Sequence, residues 1–131
     1  MKSLTIIIIA FALGFGAAIA TPATAQAPRL SWEELVKHEA MANPKLYARK
    51  QLTLVGFGKA QYACLASLWG KESGWNYKAD NPKSTAFGIA QILGETSKYP
   101  HEQINKGIRY IVHRYETPCN AWKFWQRHYY Y

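Results

Sequence analysis

The chain has 131 residues, with 16 Lys or Arg against 8 Asp or Glu and a formal net charge of +8. That length supports one modest core and excludes two. The positive excess favours association with anionic surfaces, of which bacterial walls and envelopes are one kind and nucleic acid another. The basic residues are scattered, with Arg49-Lys50 the only adjacent pair, so most of them are expected on a solvated surface.

The chain opens with Lys2, an almost unbroken apolar run from Leu4 to Ala20, and the small-x-small pattern Ala23-Thr24-Ala25. This is the pattern of a secretory signal peptide, with cleavage predicted after Ala25. The alternative is an uncleaved anchor, because the apolar run is nearly long enough to span a bilayer. Cleavage leaves residues 26–131 as one exported domain and removes a single positive charge, that of Lys2. In an oxidising compartment the two cysteines, Cys64 and Cys119, are expected to pair. Such a link closes a loop of about 55 residues and is worth roughly 4 kcal/mol on the chain-entropy model. That is a large share of a small domain's stability.

After a short lead-in, Ser31-Trp32-Glu33-Glu34 has the form of a capping box and predicts a helix to about Met41, closed by Asn43-Pro44. A second helix is expected from Pro44 to about Leu52, followed by a glycine-containing turn over Thr53 to Gly58. The third helix, Lys59 to about Ser73, carries Leu65, Leu68, Trp69 and then Glu72 at spacings of three and four. A polar loop with Asn81-Pro82 at a turn follows. Phe87 to Leu93 is short and apolar, and reads either as strand-like or as the start of a helix. A fourth helix is expected from Gln103 to about Tyr115, with Ile104, Ile108, Ile111 and Val112 on one face. Thr117-Pro118 reads as its break, and Asn120 to about His128 as the last helix, presenting Trp122, Phe124 and Trp125. The expected class is a compact, mostly helical domain.

Glu72 is the residue with the clearest chemical content. A carboxylate at the end of an apolar stripe loses hydration, which raises its pKa and retains the proton needed to protonate a departing oxygen. On periodicity alone, a half-exposed glutamate whose stem packs on Trp69 is the simpler reading. The histidines, His38, His101, His113 and His128, show no metal-ligand spacing. No phosphate-binding glycine loop occurs, and paired cysteines are poor nucleophiles. Neither a metal nor a cofactor is expected. The aromatic and basic stretch from Trp122 to Tyr131 is expected to pack its inner face in the core and leave its basic residues outward.

The ordered set Glu72-Ser73-Gly74-Trp75, Ala79, Asn81-Pro82, Ser84 and Ala86-Phe87-Gly88-Ile89-Ala90-Gln91 resembles the lytic transglycosylase domain family. That family has Glu-Ser at the end of a helix, a loop of small residues, and a Gly-hydrophobic-x-Gln segment that closes the site. The likeness extends through Gln103 to Ile111 and through Cys119, Ala121 and Trp122, where it is similar to a small secreted subfamily with two paired cysteines. The resemblance implies a lysozyme-like fold, a monomeric enzyme and peptidoglycan glycan strands as substrate, with anionic envelope polymers as further partners and no specific nucleic acid. It implies that Glu72 protonates the leaving oxygen and then takes the proton of the sugar's own 6-hydroxyl, leaving a 1,6-anhydro ring. Ser73 and Gln91 match orienting positions, Gly88 a close approach of backbone to sugar, and Phe87 a groove lining.

Two positions depart from the family pattern. Thr85 stands where glycine is frequent, and Ala121-Trp122 where longer members have Ala-Tyr-Asn, whose tyrosine touches the glutamate. Tyr110, Tyr115 or a terminal tyrosine is expected to replace it. A hydrolytic lysozyme on the same fold needs two carboxylates flanking the bond. The sole aspartate, Asp80, is the candidate for the second, although its place beside Asn81-Pro82 also suits a solvated turn. A non-catalytic wall-binding module is the third reading.

Overall fold

The computed structural model describes residues 29–131, so the expected signal peptide lies outside the described residues. Five helices and one two-stranded hairpin follow in order: α1 Trp32–Ala42, α2 Pro44–Leu54, α3 Lys59–Glu72, β1 Ala86–Phe87, β2 Ile92–Leu93, α4 Pro100–Tyr115 and α5 Pro118–His128. The mostly helical class expected from the sequence is what the structure has. No helix among the described residues is long and apolar enough to cross a membrane.

Local chemistry sets the helix ends. The capping box is complete: the Ser31 hydroxyl accepts from the Glu34 N–H at 3.2 Å, and the Glu34 carboxylate accepts from the Ser31 N–H at 2.8 Å. Asn43 ends α1 and starts α2, its N–H donating to the Glu39 carbonyl while its side chain accepts from the Leu46 N–H at 3.0 Å. Proline then occupies the first turn of α2, and the same arrangement recurs twice more. Helix α4 begins at Pro100 rather than Gln103, and α5 at Pro118 rather than Asn120. Thr117-Pro118 is therefore less a break than a start, with the Thr117 hydroxyl accepting from the Asn120 N–H at 3.2 Å. Between Phe87 and Leu93 the strand-like alternative holds: Ala86 pairs with Leu93 and Phe87 with Ile92, antiparallel, and Asp80 bridges to Phe87.

The core is built around Trp69, which is fully buried with Leu52, Leu65, Leu68, Ile89, Ile104 and Ile111. The indole of Trp69 sits against Gly107 on α4, where a Cβ would lie 2.6 Å from the ring and 2.7 Å from the Ala90 Cβ. Only a residue without a side chain lets α4 approach α3 that closely. Val112, expected on the buried face of α4, is instead exposed. The predicted disulfide is present: Cys64 on α3 and Cys119 on α5 are bonded, with Cα atoms 4.9 Å apart. The Cys119 N–H also donates to the Gln61 carboxamide at 2.9 Å, so covalent and polar links together fix the start of α5 to α3.

Candidate functional site

Helix α3 ends on Glu72. Leu65, Leu68 and Trp69 of its stripe are fully buried, and Glu72 on the same stripe is half-buried. Burial raises the pKa of its carboxyl above the ordinary value, and the nearby indole of Trp125 on α5 partly opposes this by hydrogen bonding to the charged form. The C-terminal end of the α3 dipole also disfavours a negative charge at this position. Among the described residues no second carboxylate is a cause of this shift.

Ser73 links the helix end to the segment that follows β1. Its hydroxyl donates to the Ile89 carbonyl at 2.7 Å and accepts from the Trp75 N–H at 3.1 Å. Gln91 lies at the end of that segment with a left-handed backbone, φ 48°, and its carboxamide donates to the carbonyls of Gly88 and Ala79 at 2.9 and 3.1 Å. Both residues hold the loop in shape, Ser73 from the helix and Gln91 from within. Gly88 is buried with φ 77°, and a Cβ there would lie 2.4 Å from the Gln103 carboxamide. Its open side is thus occupied by Gln103. That glutamine is buried and accepts from the Ile89 N–H at 3.0 Å while donating to the carbonyls of Tyr77 and Ser97 at 2.9 and 2.8 Å.

A groove of about 540 Å³ runs along the same segment, lined by Ala90 to Leu93, Tyr110, Arg114, Tyr130 and Tyr131. Tyr131 on its wall feels the charge of Glu72, which does not itself line the groove. The Tyr131 hydroxyl accepts from the Trp69 indole N–H at 2.9 Å and donates to the Ala90 carbonyl at 2.6 Å. Its pKa is raised well above the ordinary value, first by burial and then by the negative charge of Glu72, against the Trp69 hydrogen bond, so the phenol keeps its proton. Of the tyrosines that the sequence leaves open, Tyr131 is one on which the Glu72 charge acts. Tyr110 lines the groove beside it, ring centroids 5.6 Å apart, with its hydroxyl accepting from Arg114 at 2.7 Å. Tyr115 packs against both rings, its hydroxyl buried without a partner among the described residues, and Trp122 stacks on Trp125 at 5.3 Å.

The structure brings Ser73 to Ile89 and sets Gln91 and Tyr110 in the groove wall, whereas Glu72, one residue before Ser73, does not line the groove. Phe87 does not join them in the groove; it lines a separate hollow with Met41, Tyr77 and Tyr99. Asp80 is exposed, opposite Phe87 across the bridge. Sequence reasoning passed over Gln103 and gave Trp125 no role at Glu72. Gln103, Gly107 and Ile111 recur at a spacing of four on the buried face of α4, so Gln103 carried the same signal as Glu72, a polar residue on an apolar stripe. Compared with known proteins, the chain matches no family model, no curated protein and no solved structure.

Proposed function

We propose that the protein is an exported lytic transglycosylase that cleaves the β-1,4 bond after N-acetylmuramic acid, with Glu72 as its single acid and base. The observation that carries this reading is a half-buried carboxyl, raised in pKa, whose charge acts on a protonated tyrosine of the groove wall. A carboxyl in that state holds the proton that the departing O4 needs as the C1–O4 bond breaks. The resulting carboxylate then removes the proton from the sugar's 6-hydroxyl as O6 bonds to C1. Every atom is accounted for without adding water, and Glu72 returns to its protonated form.

A hydrolase of the usual two-carboxylate design needs a second acid flanking the bond. Among the described residues no carboxylate is a cause of the Glu72 shift, and Asp80 is exposed. The likeness of the Glu72-Ser73 and Gly88–Gln91 segments to the transglycosylase pattern supports the same conclusion, as does the disulfide, which suits an oxidising compartment outside the cytoplasm. Release of soluble fragments from purified peptidoglycan tests the assignment. Wild-type protein should release them, and Glu72→Gln, folded by thermal melt, should lose the activity by about a hundredfold or more. An equally active Glu72→Gln variant would remove Glu72 from the mechanism.

A further inference from the structure

The chain leaves α5 at Tyr129, whose N–H still donates to the Trp125 carbonyl at 2.7 Å while its own backbone is left-handed, φ 61° and ψ 23°. A residue with a side chain seldom adopts that conformation, and here it starts a turn that brings Tyr130 and Tyr131 to the groove. Beyond Tyr129, neither Tyr130 nor Tyr131 makes a backbone hydrogen bond among the described residues. Tyr129 and Tyr130 are 76% and 57% exposed, and the Tyr130 ring packs on Phe124 and His128 of the helix it has just left.

Tyr131 anchors this segment to the other elements, through its hydroxyl bonds to Trp69 and Ala90 and its ring beside Tyr110 and Tyr115. Tyr130 and Tyr131 nevertheless form part of the wall of the 540 Å³ groove, the rest of which comes from the Ala90–Leu93 segment and α4. One part of the wall therefore stands on regular structure and the other hangs from a single side chain. Removing residues 129–131 from the wall breaks no strand pairing and leaves the Cys64–Cys119 link holding the start of α5 to α3. It also opens the Trp69 N–H and the Ala90 carbonyl to water, which can satisfy both. A segment with so few buried bonds opens at far lower cost than the whole domain unfolds.

We propose that residues 129–131 form a strap that swings about Tyr129, opening the groove for a ligand to enter or leave and closing when the Tyr131 phenol returns to Trp69 and Ala90. The motion belongs to the fold and does not depend on the proposed reaction. That the strap closes on glycan rests on the transglycosylase reading, and on that reading the closed strap is the working form.

The test is hydrogen exchange followed by NMR on the intact protein. The Trp69 side chain is fully buried and its indole N–H bonds the Tyr131 hydroxyl, so it meets solvent when the strap opens or when the core unfolds. Its protection factor should lie at least about a hundredfold below that of the Leu68 amide in α3, and should not respond to low denaturant. Tyr131→Phe keeps the ring but removes the latch, and should lower the indole protection by about tenfold relative to that amide. Indole and amide protection of equal size, falling together with denaturant, would overturn the strap, because residues 129–131 would then come away only with the core. Peptide-free glycan strands added to Glu72→Gln protein should raise the indole protection by about tenfold and leave the Leu68 amide unmoved. Local opening that the glycan does not slow supports the strap and overturns glycan as its ligand.

Discussion

Trp69 and Tyr131, 62 residues apart in the chain, are joined by a hydrogen bond of 2.9 Å from the buried indole to the phenol. The phenol in turn donates a hydrogen bond to the Ala90 carbonyl at 2.6 Å, so one hydroxyl satisfies a donor in the core and an acceptor on the groove wall. Tyr131→Phe leaves both without a partner. We expect a loss of about 1–3 kcal/mol in stability by denaturant unfolding. On the transglycosylase reading, kcat should also fall by about tenfold or more, because the phenol beside Glu72 no longer fixes the groove wall. Unchanged stability and rate would mean that this hydroxyl organises nothing.

The raised pKa of Glu72 makes a stability prediction that is independent of catalysis. A carboxyl whose pKa is higher in the folded than in the unfolded state favours folding only while protonated. Its contribution is fully present below the ordinary carboxylate range and is lost as pH rises through the elevated folded value. Glu72→Gln should therefore melt above wild type at pH 7, with the advantage shrinking toward zero near pH 4. A constant difference across that range would show that Glu72 ionises as it does in the unfolded chain.

Trp125 opposes the effect of burial on Glu72. Removing its N–H in Trp125→Phe should raise the Glu72 pKa further. Activity that requires the protonated acid declines as pH rises through that pKa, so the alkaline limb of the rate profile should move to higher pH. The position of the limb, rather than its height, is the measurement, because lost packing lowers the amplitude without displacing the limb.

The Cys64–Cys119 link closes a loop spanning 55 positions between α3 and α5. Reduction, or Cys64→Ser with Cys119→Ser, should cost up to about 4 kcal/mol of stability. Below the lowered melting temperature the chemistry should persist, since Glu72 and Tyr131 are positioned by packing and hydrogen bonds. A melting curve indifferent to reductant would deny the link its stabilising role.

Gly88→Ala should destabilise by about 2 kcal/mol or more, because the added methyl meets the Gln103 carboxamide at 2.4 Å on a backbone of φ 77°. Combining it with Gln103→Ala relieves the clash but leaves the Ile89 N–H and two carbonyls unpaired. The double variant should therefore remain below wild type, and a double-mutant cycle by denaturant unfolding should show strong coupling between the two positions.

Much of the helical scaffold was legible in the sequence because its signals are local. The Ser31 capping box, the Asn43-Pro44 junction and the Leu65-Leu68-Trp69-Glu72 stripe each depend on residues within one or two turns. Pro100 and Pro118 were harder to place, since proline both ends and begins helices and only the flanking chain decides which. Glu72 stood out as an acid on an apolar stripe, and the cysteine pairing was expected from an even count in a chain whose opening reads as an export signal. What stayed hidden was non-local. Nothing near Tyr131 reveals that its phenol reaches Trp69, and nothing near Gln103 announces the three backbone groups it binds. At position 88 the resemblance implied an approach of backbone to sugar, whereas the group packed against that glycine is the Gln103 carboxamide.

The most direct test of the central claim is mass spectrometry of the fragments released from purified peptidoglycan by the wild-type protein and by Glu72→Gln. Single-carboxylate chemistry predicts anhydro-muropeptides, lighter by one water than hydrolytic products, from the wild type alone. Products carrying the added water would contradict transglycosylation and promote Asp80 as a second acid. The absence of products from folded, oxidised wild-type protein would contradict catalysis by Glu72 altogether.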